Sequence, residues 1–263
     1  MKGKCCVGID IGSAQTKAVL LEKETLAPVA RASQATGWNP KQSAEDVLDH
    51  LLAQESGVTV EGLVATGYGR VALPFADKNL TEISCHAKGA YHLFPKANVV
   101  IDIGGQDSKV ICIDQNGSVR DFVMNDKCAA GTGRFLQSVA TLLNLGIEEL
   151  CALSEEEEPC SITSMCAVFA ETEIIGLLAR GTKPGAIAAG VLSSIARRIR
   201  TLAARIPMSG DCIFTGGLAK SPVCARILAK ELACPVNVPE YPEFTGALGA
   251  ALIAASLDKK GAS

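Results

Sequence analysis

The sequence predicts an α/β fold made of two related halves, with an insertion in the second half. Three observations support this prediction: a repeated strand that ends in Asp-x-Gly, a second repeated strand that ends in Thr-Gly, and an apolar content high enough for a substantial core. Of the 263 residues, 48% are hydrophobic and 20% are charged, which is typical of a folded globular chain and argues against disorder.

The first repeat lies near the start of each half. The segment that begins at Ile9 reads IDIGSAQTK, and the segment that begins at Ile101 reads IDIGGQDSK, at an offset of 92 residues without a gap. Each copy is predicted to form an apolar strand, a glycine turn and a second apolar strand. The predicted strands are residues 6–9 and 18–21 in the first copy, and residues 99–101 and 110–113 in the second.

The second repeat shows where the halves differ in length. LVATG at residues 63–67 and CIFTG at residues 212–216 are both short apolar strands that end in Thr-Gly. From the lysine that ends the first repeat to this threonine there are 49 residues in the first half and 106 in the second, an excess of about 57. We therefore predict a first half of residues 1–94 plus 244–263 and a second half of residues 95–243, with a helical insertion at about 125–181.

Helices are predicted between these strands. One is expected to start at Ser43, whose hydroxyl is a plausible N-cap. Glycines at 146 and 181 are predicted to stop two helices of the insertion. The remaining predicted helices are residues 82–94, which link the halves, 135–145, 166–180 and 184–206.

The two Asp-x-Gly turns are suited to binding the phosphates of a nucleotide. Glycine lets backbone N–H groups approach phosphate oxygens without a Cβ in the way. We expect Asp10 and Asp102 to hold Mg²⁺ through water, because Mg²⁺ keeps much of its hydration shell, and Gln106 to orient an attacking water. No Walker A pattern is present, which excludes a P-loop enzyme.

The candidate nucleotide-binding residues lie in the two turns, after the second Thr-Gly strand, and before the segment FTGALGA. They are Gly12, Ser13, Ala14, Gln15, Thr16, Lys17, Gly104, Gly105, Gln106, Gly216, Gly217, Lys220 and Glu243. Two interpretations stay open for several of them. Lys17 and Lys109 either contact phosphates or cap their hairpins, and Lys220 and Glu243 either neighbour the nucleotide or are solvated surface residues.

These segments, in this order, resemble the actin-like ATPase superfamily of sugar kinases and heat-shock chaperones. They are similar to its first phosphate loop, second phosphate loop, adenosine loop and hinge segment. The resemblance implies two ribonuclease-H-like halves with an ATP cleft between them, ATP or ADP bound with Mg²⁺, and hinge closure on binding.

Eleven cysteines, an odd number with no Cys-x-x-Cys pair, argue against a disulfide framework and against a single-segment metal site. Most are expected to be small buried hydrophobes. Cys128 and Cys166 differ, because Cys128 stands just before a predicted helix of the insertion and Cys166 opens another. A helix N-terminus stabilises a thiolate through the helix dipole. Two thiolates supply half of a four-thiolate site, which a symmetric homodimer would complete. A catalytic redox disulfide and a bridging zinc are the alternatives.

The segment KCAAGTGRFL around Cys128, the Cys166 segment and IDIGGQD together resemble the activator (component A) of 2-hydroxyacyl-CoA dehydratases. That family is also similar to the ATP-binding subunits of benzoyl-CoA reductase. The resemblance covers essentially the whole chain. It implies a homodimer with one 4Fe–4S cluster bound between subunits at Cys128 and Cys166, and reduction by ferredoxin or flavodoxin. It further implies that ATP hydrolysis drives one low-potential electron into the dehydratase or a related reductase.

Composition excludes other classes of protein. A net charge of −3 and 4% aromatic residues argue against nucleic-acid binding. No apolar run reaches the roughly 18 residues needed to span a bilayer, so we expect a cytoplasmic protein without a membrane partner. Two rival functions remain: a small-molecule kinase of the same superfamily with Asp102 as its base, and a nucleotide-switched binding protein without redox chemistry.

Overall fold

The computed structural model describes residues 3–164, 166–208 and 210–257. The strands are β1 (Lys4–Ile11), β2 (Gln15–Glu22), β3 (Pro28–Ala35), β4 (Thr59–Thr66), β5 (Lys78–Asn79), β6 (Ala97–Ile103), β7 (Ser108–Ile113), β8 (Val119–Asn125), β9 (Asp211–Thr215) and β10 (Val236–Asn237). The α-helices are α1 (Pro40–Ala53), α2 (Glu82–Leu93), α3 (Gly133–Leu142), α4 (Ile147–Leu153), α5 (Ala167–Ala179), α6 (Pro184–Ala203), α7 (Pro222–Leu232) and α8 (Thr245–Ala255).

The chain divides into two compact units. The first comprises Met1–Lys96, Ile113–Val119 and Glu243–Ser263, and the second comprises Ala97–Cys112 and Arg120–Pro242. Each unit has one five-stranded sheet, in the order β3-β2-β1-β4-β5 in the first and β10-β9-β6-β7-β8 in the second. The strands predicted from both repeats are therefore present, at the same places in the two sheets.

The central strands of the two units have the same register. In the first unit Asp10 of β1 lies opposite Lys17 of antiparallel β2 and opposite Thr66 of parallel β4. In the second unit Asp102 of β6 lies opposite Lys109 of β7 and Thr215 of β9 in the same way. The repeat in the sequence is thus a repeat of strand pairing.

Helix α8 packs very closely on the first sheet. Its backbone contacts Gly8 of β1, where any Cβ would collide with Ala247 and Ala251. Gly249 of α8 likewise leaves room for the backbone of Cys85 in α2. Small residues at these contacts allow close packing, so that the helices cover one face of the sheet with densely packed apolar residues.

The insertion forms part of the core of the second unit. Phe135, Leu136 and Val139 of α3 are buried with Ile187 and Val191 of α6 in one apolar cluster. In α3 the spacing of these residues is that of a helix with a single buried face. The additional residues of the second half therefore extend its core.

Three helices differ from their predicted bounds. Helix α1 begins at Pro40, because the Asn39 side chain accepts a hydrogen bond from the N–H of Gln42 at 3.2 Å; Ser43 lies inside the helix. The predicted helix 135–145 begins earlier, at Gly133, and ends at Leu142, where Asn144 takes a positive φ of 56°. Helix α6 ends at Ala203, before the predicted residue 206.

Among the described residues, no single helix is both long enough and apolar enough to cross a membrane. One bent pair, α3 with α4, meets the criterion jointly by length and composition.

Candidate functional site

The first Asp-x-Gly turn presents a buried carboxylate with spare capacity to bind a cation. Asp10 is 2% exposed, and its Oδ2 lies 3.6 Å from Nζ of Lys17. Its Oδ1 is buried without a hydrogen-bond donor in the part of the chain that the structure describes. An unsatisfied buried carboxylate oxygen is costly, so a divalent cation or its bound water fits this position.

The β3–α1 loop holds this turn in place. The Thr36 hydroxyl donates to the Gly12 carbonyl at 2.7 Å, and the Thr36 N–H donates to the Ala14 carbonyl at 3.0 Å. Thr16 is buried, and its hydroxyl is hydrogen-bonded to those of Thr36 and Ser43, each at 3.0 Å. The Thr16 side chain therefore stabilises the turn from inside.

The remaining candidates in this turn are more accessible. Ala14 and Gln15 are exposed, and Gly12, Ser13 and Lys17 are half-buried. The turn is closed by a hydrogen bond from the Gly12 N–H to the Gln15 carbonyl at 3.1 Å. Its outer surface is thus backbone with short side chains, which suits a bound phosphate.

Two residues beside Asp10 were not recognised as site residues in the sequence. Glu82 and His86 of α2 each place a potential metal-ligating atom within 4.8 Å of the other and of an Asp10 carboxylate oxygen. Their spacing of four residues puts both on one face of the helix. That spacing was visible in the sequence, but only the packing of α2 brings them to Asp10.

The second Asp-x-Gly turn has a different electrostatic environment. Lys109 is 1% exposed, and its Nζ lies 3.3 Å from Asp102 Oδ2 and 2.7 Å from Asp107 Oδ2. The Thr215 hydroxyl donates to Asp102 Oδ1 at 3.0 Å. The Lys109 ammonium is therefore bound inside the turn, between two carboxylates. Gln106 is exposed, and Gly104 and Gly105 are half-buried.

This second turn is joined directly to the insertion. The N–H groups of Gly133 and Arg134, at the start of α3, donate to the carbonyls of Gly104 and Gly105, each at 2.9 Å. Helix α3 follows the short turn that begins after Cys128. Backbone hydrogen bonds therefore connect the candidate phosphate turn to the segment with a candidate cluster ligand.

The Thr-Gly strand ends require glycine. Gly67 and Gly216 have φ values of +88° and +89°, and a Cβ at either would collide with the backbone carbonyl of Ile11 or Ile103. Beyond Gly216, exposed Gly217 and Lys220 line a cavity of about 300 Å³ between α4 and α7. Glu243 lies in the short turn Pro242–Phe244 before α8.

Cys128 and Cys166 are both exposed free thiols. The Asn125 side chain fixes the backbone of Cys128, accepting from its N–H at 3.1 Å and donating to its carbonyl at 2.7 Å. Cys166 is the N-cap residue of α5; Met165, beside it, lies outside the described residues. Two accessible thiols at the starts of helical segments fit the donor set of half a four-thiolate cluster.

A positively charged cavity of about 580 Å³ adjoins Cys128. Its lining includes Lys127 and three arginines of the α6 region, Arg197, Arg198 and Arg205. Sequence analysis missed this group because the helical arginines meet Lys127 only after folding. Such a surface favours negative charge near the thiol.

The segment before Cys166 is held by Glu173. Its carboxylate accepts hydrogen bonds from the N–H groups of Thr163 and Ser164 at 2.8–3.2 Å. Burial raises the pKa of Glu173, but the hydrogen bonds from Ser164 and Thr163 outweigh this and lower the pKa to about 2.

Comparison with known proteins gives matches over nearly the whole chain. The model of the BadF/BadG/BcrA/BcrD ATPase family matches residues 7–254. The activator of lactoyl-CoA dehydratase from Anaerotignum propionicum is 45% identical over 253 residues, which cover 94% of this chain and 96% of that protein. The 2-hydroxyisocaproyl-CoA dehydratase activator of Clostridioides difficile is 40% identical over 252 residues, 94% of each chain. One chain of the benzoyl-CoA reductase of Thauera aromatica is 32% identical, covering 93% of this chain and 91% of its own length.

Solved structures agree with these matches. The activator of the 2-hydroxyisocaproyl-CoA dehydratase from Clostridium difficile, with bound ADPNP, has a TM-score of 0.89 at 39% identity and covers 96% of this chain and 94% of its own. A ROK family glucokinase from Streptomyces griseus has a TM-score of 0.59 at 17% identity, covering 96% and 100%. The glucokinase match concerns the fold alone, and it confirms the expected sugar-kinase-like architecture.

Proposed function

The chain belongs to the BadF/BadG/BcrA/BcrD ATPase family, as the resemblance in its sequence implied, and from this we propose that it is the activating ATPase of an acyl-CoA dehydratase or related reductase. In this proposal, ATP hydrolysis drives one low-potential electron from a 4Fe–4S cluster into the partner enzyme. Ferredoxin or flavodoxin supplies the electron. The relatives named as dehydratase activators support the partner class.

The nucleotide is assigned to the two Asp-x-Gly turns and the Gly216–Gly217 segment. Asp10, with its unsatisfied Oδ1, is the stronger candidate for holding hydrated Mg²⁺. Asp102 is the proposed second carboxylate, and exposed Gln106 is free to orient the attacking water. The ADPNP bound to the similar solved structure supports a nucleotide site in this fold.

The cluster is assigned to Cys128 and Cys166 of two chains in a homodimer. When bound, the cluster supplies a one-electron carrier. The exposed apolar side chains Val168, Phe169 and Ile175 on α5, just after Cys166, are 68%, 70% and 53% exposed. Large apolar side chains grouped on one helix are typical of a surface covered by another chain, and this supports dimerisation beside the cluster.

One observation carries the coupling of hydrolysis to electron transfer. The carbonyls of Gly104 and Gly105 in the phosphate turn accept the first N–H groups of α3. A change of this turn between ATP and ADP states must therefore move α3 and the preceding Cys128 segment, or break these bonds. Cluster potential responds to hydrogen bonding and solvent exposure, so such a movement would alter electron transfer.

Anaerobic purification followed by iron and sulfide analysis tests the cluster. We expect about four iron and four sulfide per dimer, and an absorption and EPR spectrum that changes with ATP or ADP. Cys128→Ser and Cys166→Ser should lose iron but keep ATP affinity, whereas the matched control Cys234→Ser should keep both.

Four outcomes would overturn the proposal. Full iron content in Cys128→Ser would reject the ligand assignment, and colourless protein with stoichiometric zinc would indicate a structural zinc dimer. Protein that stays iron-free after anaerobic reconstitution would favour the rival small-molecule kinase or nucleotide-switched protein. Identical spectra, potential and partner affinity in ATP, ADP and empty forms would reject the coupling.

A further inference from the structure

A second pair of cysteines lies at the wall of the cavity behind Lys220. Cys151 of α4 and Cys224 of α7 have their Sγ atoms 3.8 Å apart, within sulfur hydrogen-bond distance. Both line the cavity of about 300 Å³ that Gly217 and Lys220 also line. The two thiols are therefore close to each other and next to a space that a small molecule can enter.

The pair is chemically distinct from the other buried thiols. Hydrogen bonding from Cys224 lowers the pKa of Cys151 to about 7, with a further contribution from Ser221, against the opposing effects of burial and Glu148. The same interaction raises the pKa of Cys224, so Cys151 is the thiol of the pair that loses its proton first. The thiolate is the reactive form of cysteine.

Proximity alone does not distinguish this pair. Cys212 and Cys234 lie closer, with their Sγ atoms 3.2 Å apart. Burial, however, raises the pKa of Cys212 above its ordinary range, and neither residue lines the cavity. Cys151 and Cys224 combine proximity, an ionisable thiol and an adjoining cavity.

We propose that Cys151 and Cys224 form a reversible disulfide that controls entry to this cavity. The oxidant is a low-molecular-weight disulfide. The Cys151 thiolate attacks it, forming a mixed disulfide and releasing one small thiolate, which takes a proton from water. Cys224 then loses its proton to water, and its thiolate attacks the Cys151 sulfur and releases the second small thiolate, which is protonated in turn. Two protein thiols are oxidised to one disulfide, and one small disulfide is reduced to two thiols.

The bond would change the shape of the cavity. Its two sulfur atoms must approach from 3.8 Å to about 2 Å, which draws α4 toward α7 beside Gly217 and Lys220. The effect on nucleotide rests on the proposed role of these two residues in binding it. Oxidation would thus reduce nucleotide affinity, and a reductant would restore it.

The test treats anaerobically purified protein with oxidised glutathione and measures two quantities. Peptide mass mapping should find the Cys151–Cys224 disulfide, and ADP affinity should fall at least about tenfold and recover with dithiothreitol. Cys151→Ser should bind ADP normally before and after treatment. Cys234→Ser, which removes a thiol of the other pair, should respond like the unaltered chain, and any cluster loss caused by the oxidant is common to all three proteins.

The outcomes separate this inference from the proposed function. No Cys151–Cys224 disulfide, or a disulfide that leaves ADP affinity unchanged, would overturn the inference while leaving the ATPase assignment intact. Equal loss of affinity in Cys151→Ser would also overturn it. Failure of the fully reduced protein to bind ADP would instead contradict the proposed nucleotide site.

Discussion

The two Asp-x-Gly turns share one backbone arrangement but differ in how their aspartates are satisfied. Asp10 and Asp102 have the same strand neighbours in register. Asp102 is bound by Lys109 and Thr215. Asp10 has a half-buried lysine at 3.6 Å and one oxygen that receives no donor from the described residues. The two halves therefore share one backbone arrangement, but the charged and hydrogen-bonded partners of the aspartate differ between them.

This difference indicates that the two turns have different roles. A buried carboxylate that lacks a donor in the free protein is available to a ligand, since the cost of leaving it unsatisfied is relieved on binding. A carboxylate bound to buried Lys109 instead has its charge balanced within its own turn. That turn is also the one whose carbonyls hold the start of α3.

Replacing the lysine of each turn should give the largest difference in stability between the two turns. Lys109→Met leaves Asp102 and Asp107 without the ammonium between them, so we expect a loss of about 3–5 kcal/mol in the free energy of unfolding. The matched change Lys17→Met removes a longer and more exposed pair and should cost less. Urea denaturation of both variants measures this, and equal losses would contradict the proposed difference between the turns.

A smaller loss of stability is expected at the two Thr-Gly strand ends, where the two halves are alike. Gly67→Ala and Gly216→Ala each force a Cβ against a strand carbonyl at a positive φ, and each should lose about 1–3 kcal/mol of stability. Gly37→Ala is the control, because Gly37 has a positive φ of 62° and an added Cβ would have no described atom within 4 Å. Thermal unfolding should show similar losses at 67 and 216 and a smaller one at 37. A large loss at only one strand end would show that the backbone frames differ.

The weakest effect concerns the insertion, which only the second half possesses. Because hydrogen bonds lower the folded-state pKa of Glu173 from its ordinary 4.5 to about 2, its stabilisation is complete above pH 4.5 and is lost as the pH falls toward 2. Solvent screening limits this contribution to less than about 1 kcal/mol. Glu173→Gln should therefore reduce stability at pH 7 slightly and flatten its decline in acid, measured by urea titration at several pH values. An unchanged pH profile would contradict the role of Glu173 in holding the Cys166 segment.

Much of the arrangement of strands, turns and helices was predictable from the sequence, because the patterns that indicate it are local. The strands that end at Asp10 and Asp102, the glycines that follow them, and the apolar periodicity of α3 are each patterns among residues close together in the chain. Helix ends were less predictable where two nearby side chains could each act as the N-cap, as with Asn39 and Ser43 at the start of α1. There the first side chain able to cap an orphan N–H defined the boundary.

Local patterns in the chain were enough to predict the two-half α/β fold, the paired Asp-x-Gly turns and the placement of Cys128 and Cys166 before helical segments. The hydrogen-bond partners of the two turns, and the contact between the buried cysteines, became known only from the packed structure. Thr36 binds the first turn across 24 residues, α3 binds the second across 29, and Cys151 meets Cys224 across 73. Strand alternation and turn chemistry depend on near neighbours, but the satisfaction of a buried polar group depends on whatever the packed chain brings within about 3 Å.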